Sequence, residues 1–211
     1  MPLTLFCSKD FVDIPMNKEE QWISLFRAMI DAGQVATLIG EMENENYEVG
    51  SSLDAKSALD DLFLFSQSIF REHLCVLLSK TVNPGKSTSM TLFSFMKAYS
   101  AQSMQQKEFG KWKKQTKETR EHIRNARNAF AAHIDGDVLN KNFGLTEDDV
   151  DSLIDETLRF LDILYENDDA LKKSFNDEII KSGHPKLPSE ISNSSRRNLI
   201  ARIRLLKEYV V

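Results

Sequence analysis

At 211 residues, with 41% hydrophobic residues but only eight glycines and five prolines, the chain can build one sizeable core, and its composition excludes a disordered or all-β protein. The net charge of −5 does not by itself mark a nucleic-acid binder. Its distribution says more: eight bases (Lys107, Lys111, Lys113, Lys114, Lys117, Arg120, Arg124, Arg127) stand against three acids between 107 and 127, and ten acids stand against Arg159 alone between Glu147 and Asp169. Such segregation fits a basic groove for a polyanion, and equally two helices of opposite sign that face each other or solvent.

Residues 1–16 form an N-terminal extension in which Lys9 and Asp10 interrupt an apolar run, so no signal peptide is read there. Asn17-Lys18-Glu19-Glu20 is a helix entry, with an Asx cap and a glutamate three residues on. Trp22, Leu25, Phe26, Met29 and Ile30 recur at helical spacing, which predicts a helix to about Met42. Ser51 and Ser52 start a second helix of close to 40 Å, a spine for a bundle, with Leu59, Leu62, Phe63, Ser66, Ile69, Phe70, His73, Leu74, Leu77 and Leu78 on its apolar face. By that phase His73 is a core histidine. Cys75 lies in the same apolar pattern and Cys7 is far away, which points to a reduced, cytoplasmic setting. No uncharged run reaches membrane-spanning length, and no membrane partner is expected.

Asn83-Pro84-Gly85-Lys86-Ser87-Thr88 holds the last letters of a phosphate-binding loop. The first glycine that motif requires falls on Lys80, and a helix rather than a strand precedes it, so the segment is a turn. Ser87 to Ser89 can cap a short helix carrying Met90, Leu92, Phe93, Phe95, Met96 and Tyr99. A basic segment follows from Ser103, in which Gly110 can kink or divide the helix. The apolar steps predict one continuous helix from Thr116 to Ile134, stopped by Gly136. Thr146 caps the next helix, with three acids in its first turn and Leu145 placed to pack on Val150, running to about Asn167. A shorter helix spans about Ala170 to Lys181, His184 falls in a loop, Lys186 to Ser195 reads as a linker, and Arg196 to Val211 forms a last basic helix. The fold class is all-α: an up-and-down helical bundle over 17–168 with extra C-terminal helices, 169–211, packed on it.

The densest chemistry is Arg124-Asn125-Ala126-Arg127-Asn128-Ala129-Phe130-Ala131-Ala132-His133-Ile134-Asp135. Ile123, Ala126, Phe130 and Ile134 share an apolar stripe, and Arg127 and His133 lie on its opposite rims, about 120° apart. An arginine and an imidazole bordering a buried seam can act together on a phosphate, or can be a snorkelling cation and a hydrogen-bonded rim histidine. His122 falls on nearly the same side as His133 and reads as a surface residue.

Arg127-Asn128 followed by Ala132-His133 and Asp135 resembles the signature of HEPN domains, and most closely that of the abortive-infection AbiU-type HEPN-like family. The spacer position that is often lysine in that family is Ala129 here. The resemblance covers mainly residues 20–165. It implies a HEPN-like bundle and a metal-independent endoribonuclease in a phage-defence or toxin–antitoxin context, with no cofactor and no metal. In that reading His133 moves a proton, Arg127 stabilises charge on the phosphorane and Asn128 orients the phosphate or the histidine. One copy supplies one imidazole, so a homodimer with a composite site is expected. Lys113, Lys114, Lys117, Arg120 and Arg124 then hold the RNA backbone. The competing readings are a non-catalytic helical binding or scaffold module of the same fold, and the non-nuclease half of a pair that holds an antitoxin or another defence protein.

Overall fold

Asn17 opens the first helix, α1 (Lys18–Glu43), through a reciprocal cap: Asn17 Oδ1 accepts from the Glu20 amide at 2.8 Å, and Glu20 Oε2 accepts from the Asn17 amide at 3.0 Å. The computed structural model describes residues 17–43, 53–85, 91–99, 103–132, 146–180 and 186–210, without the side chains of 43, 53–64, 130–132 and 206–210. These hold eight α-helices and no strand: α1, α2 (Leu53–Val82), α3 (Leu92–Ala98), α4 (Ser103–Gln115), α5 (Lys117–Ala132), α6 (Glu147–Glu166), α7 (Asp169–Phe175) and α8 (Pro188–Val210). The N-terminal extension, the segment 133–145 and His184 lie outside the described residues.

α1 is the central helix and packs on α2, α6, α7 and α8. By length and composition alone it is apolar enough to cross a membrane. In the fold that apolarity is spent on the core, because Trp22, Ile23, Leu25, Phe26, Met29 and Ala32 are all buried. Trp22 stacks on Phe26 and Tyr165 and meets Phe175 edge to face at 5.1 Å. Phe175 and Leu171 therefore put the C-terminal segment into the same core as α1.

Two polar ties fix the lengthwise register. Lys18 Nζ and Tyr99 Oη both donate to Asp168 Oδ2, at 2.9 and 2.8 Å, while Asp168 Oδ1 caps α7 by accepting from the amides of Ala170 and Leu171. Near the other end of the bundle, Arg196 of α8 donates to the Gly33 carbonyl and to Thr37 of α1, and pairs with Asp151 and Asp155 of α6. A Cβ on Gly33 would stand 3.3 Å from Arg196 Nε, so the glycine lets the guanidinium reach the α1 backbone.

Several boundaries differ from the sequence reading. The stretch Lys186–Ser195 is mostly helix: Pro188 occupies the first position of α8, Glu190 Oε2 accepts from the Leu187 amide, and Asp162 accepts from the Ser189 amide. Two of its serines meet α1: Ser192 is buried beside Gly33 and Ser195 is bonded to Gln34. α3 is capped by Thr91, which exchanges bonds with Ser94, rather than by Ser87 to Ser89, which lie outside the described residues. α7 continues as a π-helical turn, Asn176–Ile180. Thr146 caps α6 in a capping box with Asp149, as its local pattern predicts.

His73 is exposed, not buried, and Ile69 on the predicted apolar face of α2 is 48% exposed, with Phe65 at 63%. The helix is apolar over a wider arc than its neighbours cover.

Two outcomes are expected. Phe175→Ala leaves a cavity between Trp22, Phe26 and Tyr165 and costs about 3–5 kcal/mol in chemical denaturation, as for a central core residue. Burial, and then the bond to Asp168, push the Tyr99 hydroxyl up from 10.0 to about 12. Across that window the folded chain holds a proton the unfolded chain has lost, so stability present below pH 10 falls as pH rises toward 12. Urea titrations at pH 9 to 12 check this, and Tyr99→Phe should flatten the decline.

Candidate nucleic-acid interface

The joint between α4 and α5 sets how the basic segment is presented. It lies at Thr116, not at Gly110, which sits inside α4 with its surface open. Thr116 keeps helical bonding on both sides, its amide donating to the Trp112 carbonyl and its carbonyl accepting from the Arg120 amide, each at 3.0 Å. Its hydroxyl donates to the Trp112 carbonyl at 2.7 Å, so the side chain shares the acceptor of its own amide at the point where α4 passes into α5.

Arg120 holds this joint. Only 7% exposed, it donates through Nε to Thr116 Oγ1 and through Nη2 to the Lys113 carbonyl, both at 3.0 Å. Its guanidinium carbon lies 5.1 Å from the ring centres of both Phe93 and Trp112. Asn83 at the end of α2 donates to the Arg120 carbonyl. Burial lowers the pKa of the guanidinium from the usual arginine value. Arg120 is thus an internal post joining α3, α4 and α5, which corrects its placement among RNA-binding residues: a side chain so enclosed presents no charge to a polyanion.

The other basic candidates are placed differently. Lys113, Lys114, Lys117 and Arg124 are exposed, Lys113 with its ammonium 4.9 Å over the Phe109 ring. Asn128 is exposed and Arg127 is half-buried, beside the buried Ile123 and Ala126. Arg127 lies seven residues beyond Arg120, on nearly the same side of the helix. Among the described residues it has neither a hydrogen-bond nor an ion-pair partner. The structure brings Arg127 and Asn128 to one end of α5; His133 and Asp135 lie outside the described residues.

Cross-helix contacts locate that end. Trp112 Nε1 donates to Thr157 Oγ1 at 3.2 Å, and half-buried His122 lies near Asp149 in the first turn of α6. α5 and α6 are therefore antiparallel, with His122 level with the start of α6. The turns carrying Arg124, Arg127 and Asn128 run past it. The Asn83–Arg120 contact likewise makes α2 antiparallel to α5 and sets His73 and Ile69 level with the motif end. Exposed Ile69 and His73 are residues whose setting the sequence pattern missed, since they share a helical phase with core residues of α2; Phe65, also exposed, lies one turn before Ile69.

Among the described residues no cluster of three or more histidines, cysteines or acids is placed to hold a metal ion. Burial and then Glu72 push the Cys75 thiol up to about 11, which keeps it from acting as a thiolate at neutral pH. An open depression of about 600 Å³ lined by Asn17, Glu19, Lys173, Ser174, Asp177 and Glu178 lies by the N-terminus of α1, away from the motif residues. The chain matches no family model, no curated protein and no solved structure.

The two arginines should separate in a stability assay. Arg120→Ala removes two charge-assisted bonds and two ring contacts and costs about 2–4 kcal/mol, with Arg120→Lys rescuing little because an ammonium cannot span both acceptors. Arg127→Ala should stay within about 0.5 kcal/mol of wild type. Urea midpoints of the three variants check the contrast.

Proposed function

We propose that the protein is a HEPN-type, metal-independent endoribonuclease of the cytoplasm, acting as a homodimer in a defence or toxin–antitoxin setting. The observation that carries the reading is Arg127: a half-buried cation with no acceptor among the described residues, two turns beyond an arginine that is wholly employed inside the fold. A partly desolvated guanidinium without an internal partner is suited to an external phosphate, which accepts from it in a bidentate manner. Exposed Asn128 stands next to it, and the resemblance supplies His133.

In this reading the ribose 2′-oxygen attacks the adjacent phosphorus, giving up its proton to a base, and the bond to the 5′-oxygen breaks as that oxygen takes up a proton. The products are a 2′,3′-cyclic phosphate and a 5′-hydroxyl. His133 carries one of the two proton transfers, and Arg127 neutralises charge gathering on the equatorial oxygens. A second copy of the chain supplies the second imidazole. Support for pairing comes from Ile69, level with the motif end on α2, and Phe65 one turn further along, whose exposed side chains give a second copy apolar area to cover. The same two side chains favour the second reading, a non-catalytic binding module of this fold that holds an antitoxin or other protein through α2.

Cleavage of a generic RNA in the presence of chelator tests the proposal. Wild type should leave cyclic-phosphate ends, and His133→Ala and Arg127→Ala should lower the rate at least a hundredfold with helicity and dimer mass unchanged. Intact RNA at high protein concentration would support the binding module.

A further inference from the structure

Gly110 has no internal reason to be glycine. It is exposed in the middle of α4, and an added Cβ would meet nothing within 4 Å. Its backbone is not in the left-handed region. Glycine nevertheless destabilises a helix interior relative to alanine, because the unfolded chain loses more freedom at that position.

Its neighbours on the helix surface, three or four residues away, are Gln106, Lys107, Lys113 and Lys114, all exposed. Helical bonding continues through Thr116, so one phase count covers α4 and α5. On that count Gly110, Lys114, Lys117, Glu121, Arg124 and Asn128 lie within an arc of about 80°. All six are exposed, and Glu121 is the one acid among them. The ridge from Gly110 to Asn128 is about 27 Å long.

We infer that this ridge is the track of the RNA backbone and that Gly110 is its distal seat, where the bare main chain between three lysines lets a phosphodiester lie closer to the helix than any side chain would allow. The inference rests on the RNA reading above and adds a length requirement to it. At about 3.4 Å per stacked nucleotide, a strand must extend about eight nucleotides from Asn128 to reach Gly110. Short RNA engages only the motif end of the ridge.

The test is fluorescence anisotropy with 5′-fluorescein-labelled single-stranded RNAs of 5 and 20 nucleotides, using full-length protein carrying His133→Ala so that no strand is cut. Gly110→Ala should raise the thermal midpoint yet weaken binding of the 20-mer three- to tenfold, leaving the 5-mer unchanged. Lys107→Gln with Lys114→Gln should reduce the salt dependence of 20-mer binding and not of 5-mer binding. Gly110→Ala protein that gains stability and binds both RNAs like its parent overturns the inference, even if wild-type protein cleaves RNA. Length-dependent binding lost in Gly110→Ala, by a wild-type protein that cuts nothing, keeps the ridge and overturns the nuclease.

Discussion

Burial of the Trp22 indole is the contact on which the bundle turns. It carries no exposed surface and joins α1 to α6 through Tyr165 and to α7 through Phe175. Aromatic faces and edges meet there in offset and perpendicular arrangements, which hold inter-helix spacing more tightly than aliphatic packing of equal area. Everything that positions α5 is set outward from this centre. α2 and α6 pack on α1, and α5 packs on α2 and α6.

Two arginines do structural work at opposite parts of this frame. Arg196 binds a main-chain carbonyl of α1 and two carboxylates of α6, and Arg120 lies against two rings that meet edge to face, with a carbonyl and a hydroxyl for its protons. Each is desolvated, and each is supplied with acceptors, as an enclosed cation requires. Against that background half-buried Arg127, near the end of α5, has no hydrogen-bond or ion-pair partner among the described residues.

Features set by a few neighbouring residues were legible in the chain itself. The Asn17–Glu20 and Thr146–Asp149 caps each involve side chains three residues from their amides, so their spacing alone predicts them. The all-α class followed from periodicity in the same way. What escaped was set by contacts distant in sequence. No count of charges separates Arg120 from Arg124; the rings of Phe93 and Trp112 do. Gly110 reads as the breaker because glycine is a poor helix former, yet α4 passes into α5 at Thr116, which bonds Arg120. The serines from 189 to 195 resemble a linker by composition, yet Ser192 is small where α8 lies close on α1 at Gly33. His73 shares a helical phase with core residues and is exposed, since no described helix covers that side of α2.

The central place of α1 also bears on how the protein is made. Its partners in α6, α7 and α8 lie more than a hundred residues downstream; Lys18 waits for Asp168, and Gly33 for Arg196. At ribosomal speeds of about 5–20 residues per second, this strongly apolar helix is synthesised on the order of ten seconds before the aromatic residues that enclose it. During that interval the nascent chain displays a long greasy segment with only α2 and α3, among its described neighbours, to lie against, and it stays open to aggregation until α6 to α8 emerge.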